Sequence, residues 1–218
     1  MKTRIALLGL VALGFVSIAQ AGAIYDPAVD WSISDNPNGV WSYRSGSGTL
    51  FDTGAVIGGD GGAVERWSAG GSSDPCITYN PTSEEVVGWL IHWAPYEIGM
   101  GSSGDSNGII LRWTAPSAGN WAVDALFTTT QEGNIGGTIY VAKNGTEVFS
   151  HGVGNYLDSS SYADTLSFAA GETLDFRVTG DKFVRPEITI SQVPEPCSLV
   201  LVVLGGIGIL AYAWRKRK

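Results

Sequence analysis

Between Gly108 and Thr129 the chain reads GIILRWTAPSAGNWAVDALFTT. Ile109, Leu111 and Trp113 alternate with Ile110 and Arg112. After Pro116-Ser117-Ala118-Gly119 turns the chain, Trp121, Val123, Ala125 and Phe127 recur at spacing two, with Asp124 on the opposite phase. Successive side chains of an extended backbone point to opposite faces, so each run is a strand with one buried face. Thr138 to Ser150 repeats the pattern around Asn144-Gly145, the strongest short hairpin signal, because a type I′ turn needs positive φ at both central positions. Ala163 to Val178 reads as another pair of strands, with Leu166 and Phe168 before Ala169-Ala170-Gly171 and Leu174, Phe176 and Val178 after it. Arg185 to Ser191 reads as a last strand. In the first half, Val40–Tyr43, Gly48–Phe51, Val64–Trp67 and Val86–Trp93 are strand-like. No segment shows a 3.6-residue period. Many short strands with turn signals every 8–12 residues predict an all-β chain: an antiparallel two-sheet β-sandwich, of jelly-roll type.

Both ends of the chain differ from this middle. Lys2 and Arg4 precede an apolar run from Ile5 to Ile18, and Ala19-Gln20-Ala21 follows. This is the layout of a secretory signal peptide cleaved after Ala21. At the other end, Cys197 to Trp214 is 18 residues without a charge, about 27 Å as a helix, near the ~30 Å of a bilayer core. Pro194 and Pro196 set where such a helix starts, and Arg215, Lys216, Arg217 and Lys218 form a basic stop that stays on the cytoplasmic side. The expected organisation is a signal peptide over 1–21, an exported β-sandwich over 22–192, and a tail over 193–218 with a transmembrane helix at 197–214 and a basic end at 215–218.

Pro194-Glu195-Pro196, the apolar span and the terminal basic cluster together resemble the PEP-CTERM sorting signal of exported bacterial proteins. That resemblance implies recognition and processing by exosortase, a membrane protease-transferase. It further implies a single-pass precursor in the membrane, delivery to the cell surface or extracellular matrix, and company with exopolysaccharide. Cys197 departs from the small hydroxyl residue expected there. A second resemblance lies in the middle of the chain. Asn36-Pro37-Asn38-Gly39-Val40-Trp41-Ser42-Tyr43, Leu111-Arg112-Trp113-Thr114-Ala115-Pro116-Ser117-Ala118-Gly119, the Asn144-Gly145 hairpin and Ala170-Gly171-Glu172-Thr173-Leu174-Asp175-Phe176 are similar to jelly-roll modules of such surface proteins and to carbohydrate-binding-module sandwiches.

Charge narrows the partners. Residues 22–193 hold 7 of the chain's 13 Lys/Arg and 20 of its 21 Asp/Glu, a net of −13, because the targeting ends carry the other bases. Such a surface repels phosphate backbones, which argues against nucleic acid, and repels anionic lipid and acidic polysaccharide unless a divalent cation bridges them. Glycine, 25 of these 172 residues, is about twice average usage and reads as many tight turns. Cys76 is alone in this segment, so no disulfide framework is expected, and it reads as a small buried residue.

No catalytic motif is present. His92 and His151 are 59 residues apart, and there is no HExxH, G-x-S-x-G or phosphate-cradling glycine loop. Glu84-Glu85 reads as a solvated turn. The expectation is no enzyme and no cofactor. A structural calcium on Asp60 or Asp105-Ser106-Asn107 is a weaker idea. The seven Trp of residues 22–193 are better motivated, because sugar rings stack on aromatic faces. Trp113 and Trp121 fall on inward phases, and Trp89 and Trp93 read as core on at least one face. Trp31, Trp41, Tyr43, Trp67 and Tyr96 lie near loops or short strands, and Trp41, Tyr43, Trp67 and Tyr96 are the candidate ligand platform. The leading expectation is a surface protein that binds polysaccharide. Its alternatives are an adhesive protein that contacts proteins, and an envelope glycan hydrolase with an unrecognised carboxylate pair.

Overall fold

The computed structural model describes residues 22–102, 107–133, 136–194, 212 and 214–216. The described residues form β1 (Ile24–Tyr25), β2 (Trp41–Ser45), β3 (Thr53–Gly59), β4 (Gly62–Ser68), β5 (Cys76–Tyr79), β6 (Val86–Gly88), β7 (Ile91–Trp93), β8 (Ile98–Gly101), β9 (Ile109–Thr114), β10 (Gly119–Thr129), β11 (Gly137–Lys143), β12 (Thr146–Val153), β13 (Ser159–Phe168), β14 (Thr173–Gly180) and β15 (Phe183–Gln192). The larger sheet runs β13-β10-β15-β8-β5-β4-β3, with β1 beside β15. The smaller runs β12-β11-β14-β9-β2, and β6-β7 stands apart as a two-stranded ribbon. Every pairing is antiparallel. From β8 onward the pairs nest: β8 with β15, β9 with β14, β10 with β13 and β11 with β12, alternating between the two sheets.

The period-two runs account for the core. Trp113 and Trp121, from facing sheets, meet edge to face at 5.1 Å, and Phe168 meets Trp113 at 5.2 Å. Leu111, Val123, Phe127, Val141, Phe176 and Ile190 fill the rest of the space between the sheets. Edge-to-face aromatic pairs add about 0.5–1.5 kcal/mol each beyond the area they bury. Asn144 and Gly145 take φ of 49° and 77° at the β11–β12 turn, as the hairpin signal requires.

Three readings are corrected. Gly48–Phe51 is not a strand; Leu50 makes only an isolated bridge to Arg44. The Ala163–Val178 stretch does not pair with itself, because β13 lies in one sheet beside β10 and β14 in the other between β11 and β9. Val86–Trp93 is not one strand but a tight hairpin, β6 paired with β7 around Trp89-Leu90.

The chain divides into two compact units, 23–193 and the two ends, 1–22 with 194–218. The expected signal peptide, including Ala19 and Ala21, lies outside the described residues. So do Glu195, Pro196, Arg217, Lys218 and all of the 197–214 span except Tyr212 and Trp214. Pro194, Tyr212, Trp214, Arg215 and Lys216 are exposed. Among the described residues no helix is long and apolar enough to cross a membrane.

Candidate functional site

The expected platform is not on the surface. Trp41 and Tyr43 are fully buried and Trp67 nearly so. The reason is the segment between β1 and β2, which lies over these rings and accepts the two indole N–H groups. The Trp41 indole donates to Asp30 Oδ2 at 3.0 Å, and the Trp67 indole donates to the Ser32 carbonyl at 2.7 Å. Trp31 closes the cluster at 4.7 Å from Tyr43 and stacks on Tyr79 at 5.5 Å, with its indole on Glu65. Tyr96 is exposed, with φ of 58°. It lines a trough of 610 Å³ on the outer face of the larger sheet, beside Glu97, Asp124 and Glu187. The four candidate residues therefore do not form one surface.

The exposed tryptophan of the sandwich is Trp89, read from sequence as core on at least one face. Its side chain is 70% exposed and that of the adjacent Leu90 60%. They are the two turn residues between β6 and β7, with φ of 50° and 64°. This is a two-residue turn with positive φ at both positions, where Asn-Gly is favoured and an ordinary side chain costs about 1–2 kcal/mol. Two bulky apolar residues sit in the left-handed backbone region, which such side chains disfavour, and face solvent.

The surroundings hold the strained turn in place. The ribbon folds over the outer face of the larger sheet onto a small second core of Val64, Cys76, Val86, Ile91, Trp93 and Phe183. Phe183 enters because β8 carries Gly99 and Gly101; a Cβ at Gly101 would stand 2.0 Å from its ring. Trp93 meets Phe183 edge to face at 5.8 Å and donates to Thr78 Oγ1 at 3.0 Å. Backbone bonds pin the rest: Val87 and Asp60 exchange both bonds, His92 N–H donates to Thr130, and Glu132 N–H donates to the Leu90 carbonyl.

Between this ribbon and the sheet lies a cleft of roughly 390 Å³, walled by Trp89, Ile91 and Trp93 on one side and by Arg66, Asp74 and Lys182 on the other. Lys182 is 1% exposed. Its ammonium donates to the carbonyls of Gln131 (3.1 Å), Gly133 (3.0 Å) and Gly154 (3.0 Å), so its three donors are all used. Burial lowers its pKa, with Asp158 and Asp181 opposing that shift. It is a structural tie for the loop after β10. Cys76, at the cleft floor, is buried as expected; burial, then Asp74, push its thiol pKa well up, so it is no nucleophile.

His92 ties the ribbon from behind. Nδ1 lies 3.2 Å from Glu85 and Nε2 3.1 Å from Glu132, with the Tyr156 ring at 5.2 Å and Arg185 in the same recess. Burial works against the charged ring, but the bonds to Glu132 and Glu85 outweigh it, and the pKa is raised above 6.5. A raised folded-state histidine stabilises fully below the unfolded value near 6.5, and that contribution is lost as pH rises through the folded value. The stability advantage of the full-length chain over His92→Gln is therefore expected to be largest below about pH 6.5 and to shrink toward pH 8, measured as the difference in thermal midpoint. Both carboxylates are half exposed, so the difference stays below about 1 kcal/mol.

Among the described residues no group of three His, Cys, Asp or Glu could hold a metal. Asp60 is engaged through its backbone with Val87, and Asp105 and Ser106 lie outside the described residues.

The tail of the sequence matches one known signature. Residues 192–218 are a PEP-CTERM protein-sorting motif. The motif begins at the last residue of β15 and places an export-and-sorting signal directly behind the sandwich. No curated protein matches the chain. Solved structures with similar traces include a family 35 carbohydrate binding module from Clostridium thermocellum, at 14% identity over 78% of this chain and 98% of that one, TM-score 0.32. Another is the CBM36-1 domain of a multidomain xylanase from the hindgut metagenome of Trinervitermes trinervoides, at 8% over 72% and 99%, TM-score 0.33. A third is pika GITRL, at 14% over 40% and 79%, TM-score 0.26. Likenesses this distant say nothing of what this chain binds. The cleft has to be read from its own chemistry.

Proposed function

We propose that this is an exosortase-sorted protein of the cell surface or extracellular matrix whose sandwich retains exopolysaccharide at the Trp89 cleft. The observation that carries the reading is Trp89: an indole held in solvent, at a turn that disfavours it, over a cleft with polar walls. Sugar rings pair their apolar C–H faces with such an aromatic plane and their hydroxyls with neighbouring polar groups, and binding sites of this kind are concave, aromatic and sparsely polar. The nested strand pairs support a jelly roll as the scaffold. No step of the reading needs catalysis, and nothing in the cleft is placed as an acid/base pair.

Two experiments test the two halves. For sorting, the intact mass of the protein from its native envelope is compared with that of Pro194→Ala/Glu195→Ala/Pro196→Ala. The native protein is expected to lack the apolar tail and the triple variant to keep it; a native chain running intact to Lys218 would make the tail a plain anchor. For binding, the full chain in detergent is run through gels with and without the exopolysaccharide of the producing cells. Retardation that depends on Trp89 is expected, and equal mobility in both gels would refute the binding half.

A further inference from the structure

The cleft also carries a charge that the protein leaves uncompensated. Arg66, on the outward phase of β4, is 9% exposed. Its buried Nε has no hydrogen-bond partner, and its guanidinium makes one long bond, from Nη2 to the Gly71 carbonyl at 3.3 Å. Among the described residues no carboxylate comes within ion-pair distance of it. Asp74, on the same wall, makes no ion pair with it and already accepts the Cys76 thiol on one oxygen at 3.4 Å. A desolvated guanidinium without a counter-ion is costly, and the usual resolution is a partner that arrives from outside. The domain that contains it has a net charge of −13, so a positive wall in this cleft is a local reversal of sign.

We propose that the ligand residue seated in the Trp89 cleft is an acidic sugar, a uronate, whose carboxylate pairs with Arg66 while its ring lies on Trp89. This rests on the glycan reading above and narrows it to one substrate class. The guanidinium fork matches a carboxylate with two parallel bonds, and a neutral hydroxyl pair leaves the charge unmet. The acidic surface and the basic cleft then act together: the surface turns away polyanions at large, and the cleft admits one acidic residue at one place.

The test is titration of the full chain in detergent, with a chelator present so that no divalent cation bridges, against three hexasaccharides: hexagalacturonate, its methyl ester, and cellohexaose. The acid is expected to bind about ten- to hundredfold more tightly than its ester, the effect of a hydrogen bond to a charged group. Arg66→Gln is expected to erase that preference and Arg66→Lys to keep part of it, with thermal midpoints measured alongside. If Arg66→Gln fails to fold, the acid-to-ester ratio on the unaltered chain still decides. Equal affinity for acid and ester, or tighter binding of cellohexaose, would overturn the uronate assignment and leave the Trp89 site standing. Binding of none of the three would overturn both.

Discussion

Replacing Trp89-Leu90 by Asn-Gly is expected to make the protein more stable and its glycan retention weaker. The stability gain follows from the backbone: both positions have φ between 50° and 64°, where Asn and Gly sit at little cost. Relief of that strain is worth about 1–2 kcal/mol, or a few degrees in thermal midpoint for a domain of this size. The binding loss follows from the ring, because truncating a tryptophan at the centre of a binding surface costs about 2 kcal/mol or more, roughly thirtyfold. The two effects have opposite signs, which a purely structural role for Trp89 does not produce. A variant that loses stability along with retention would mean that the indole holds the ribbon down.

Lys182→Met is the second large effect. The ammonium satisfies three carbonyls on a side chain that is only 1% exposed. Methionine fills the same space and satisfies none. Each orphaned carbonyl costs about 1–3 kcal/mol, so the expected loss is about 3 kcal/mol or more. That is roughly 6–12 °C in thermal midpoint for a domain of this size. Because the loop it ties also accepts Phe183 N–H on Gln131 Oε1, the cleft wall loosens and glycan retention falls as well. Chemical or thermal denaturation checks the first effect. A loss under about 1 kcal/mol would show that the loop is held by its backbone bonds alone.

The sequence displays the parts of this protein unevenly, for physical reasons. The strands Ile109–Trp113 and Trp121–Phe127 are legible because their buried and exposed faces alternate strictly, and Asn144-Gly145 is legible because its turn has few other solutions. Sheet membership is not legible: Phe168 and Thr173 are five residues apart yet belong to different sheets, and the partners of β13 lie some forty residues earlier. Trp41, Tyr43 and Trp67 are misplaced by a reading from local context because what covers them is the irregular segment at Asp30 to Ser32, joined to them by contacts of 11 to 35 residues. Trp89 escapes for the opposite reason. Gly88 precedes it, but no Asn or Gly stands at the turn itself, so Val86–Trp93 looks like one apolar strand. The hairpin pairs Val86-Val87-Gly88 with Ile91-His92-Trp93 around two residues, and that pairing leaves no mark on the apolar pattern of the sequence. Arg66 gives no signal at all, since a missing partner is visible only in three dimensions. The sorting motif at 192–218 is legible because its message is carried by residue types in order, with no folding required.

The most direct test of the binding claim is oxidation of the full chain by N-bromosuccinimide, with peptides read by mass spectrometry, with and without the exopolysaccharide of the producing cells. In residues 22–193, Trp41, Trp67, Trp93, Trp113 and Trp121 are buried and Trp31 is partly so, while Trp89 stands in solvent. Fast modification of Trp89 in the free protein and its protection by polysaccharide is the predicted result. Trp89 oxidised at the same rate with and without polysaccharide would contradict it.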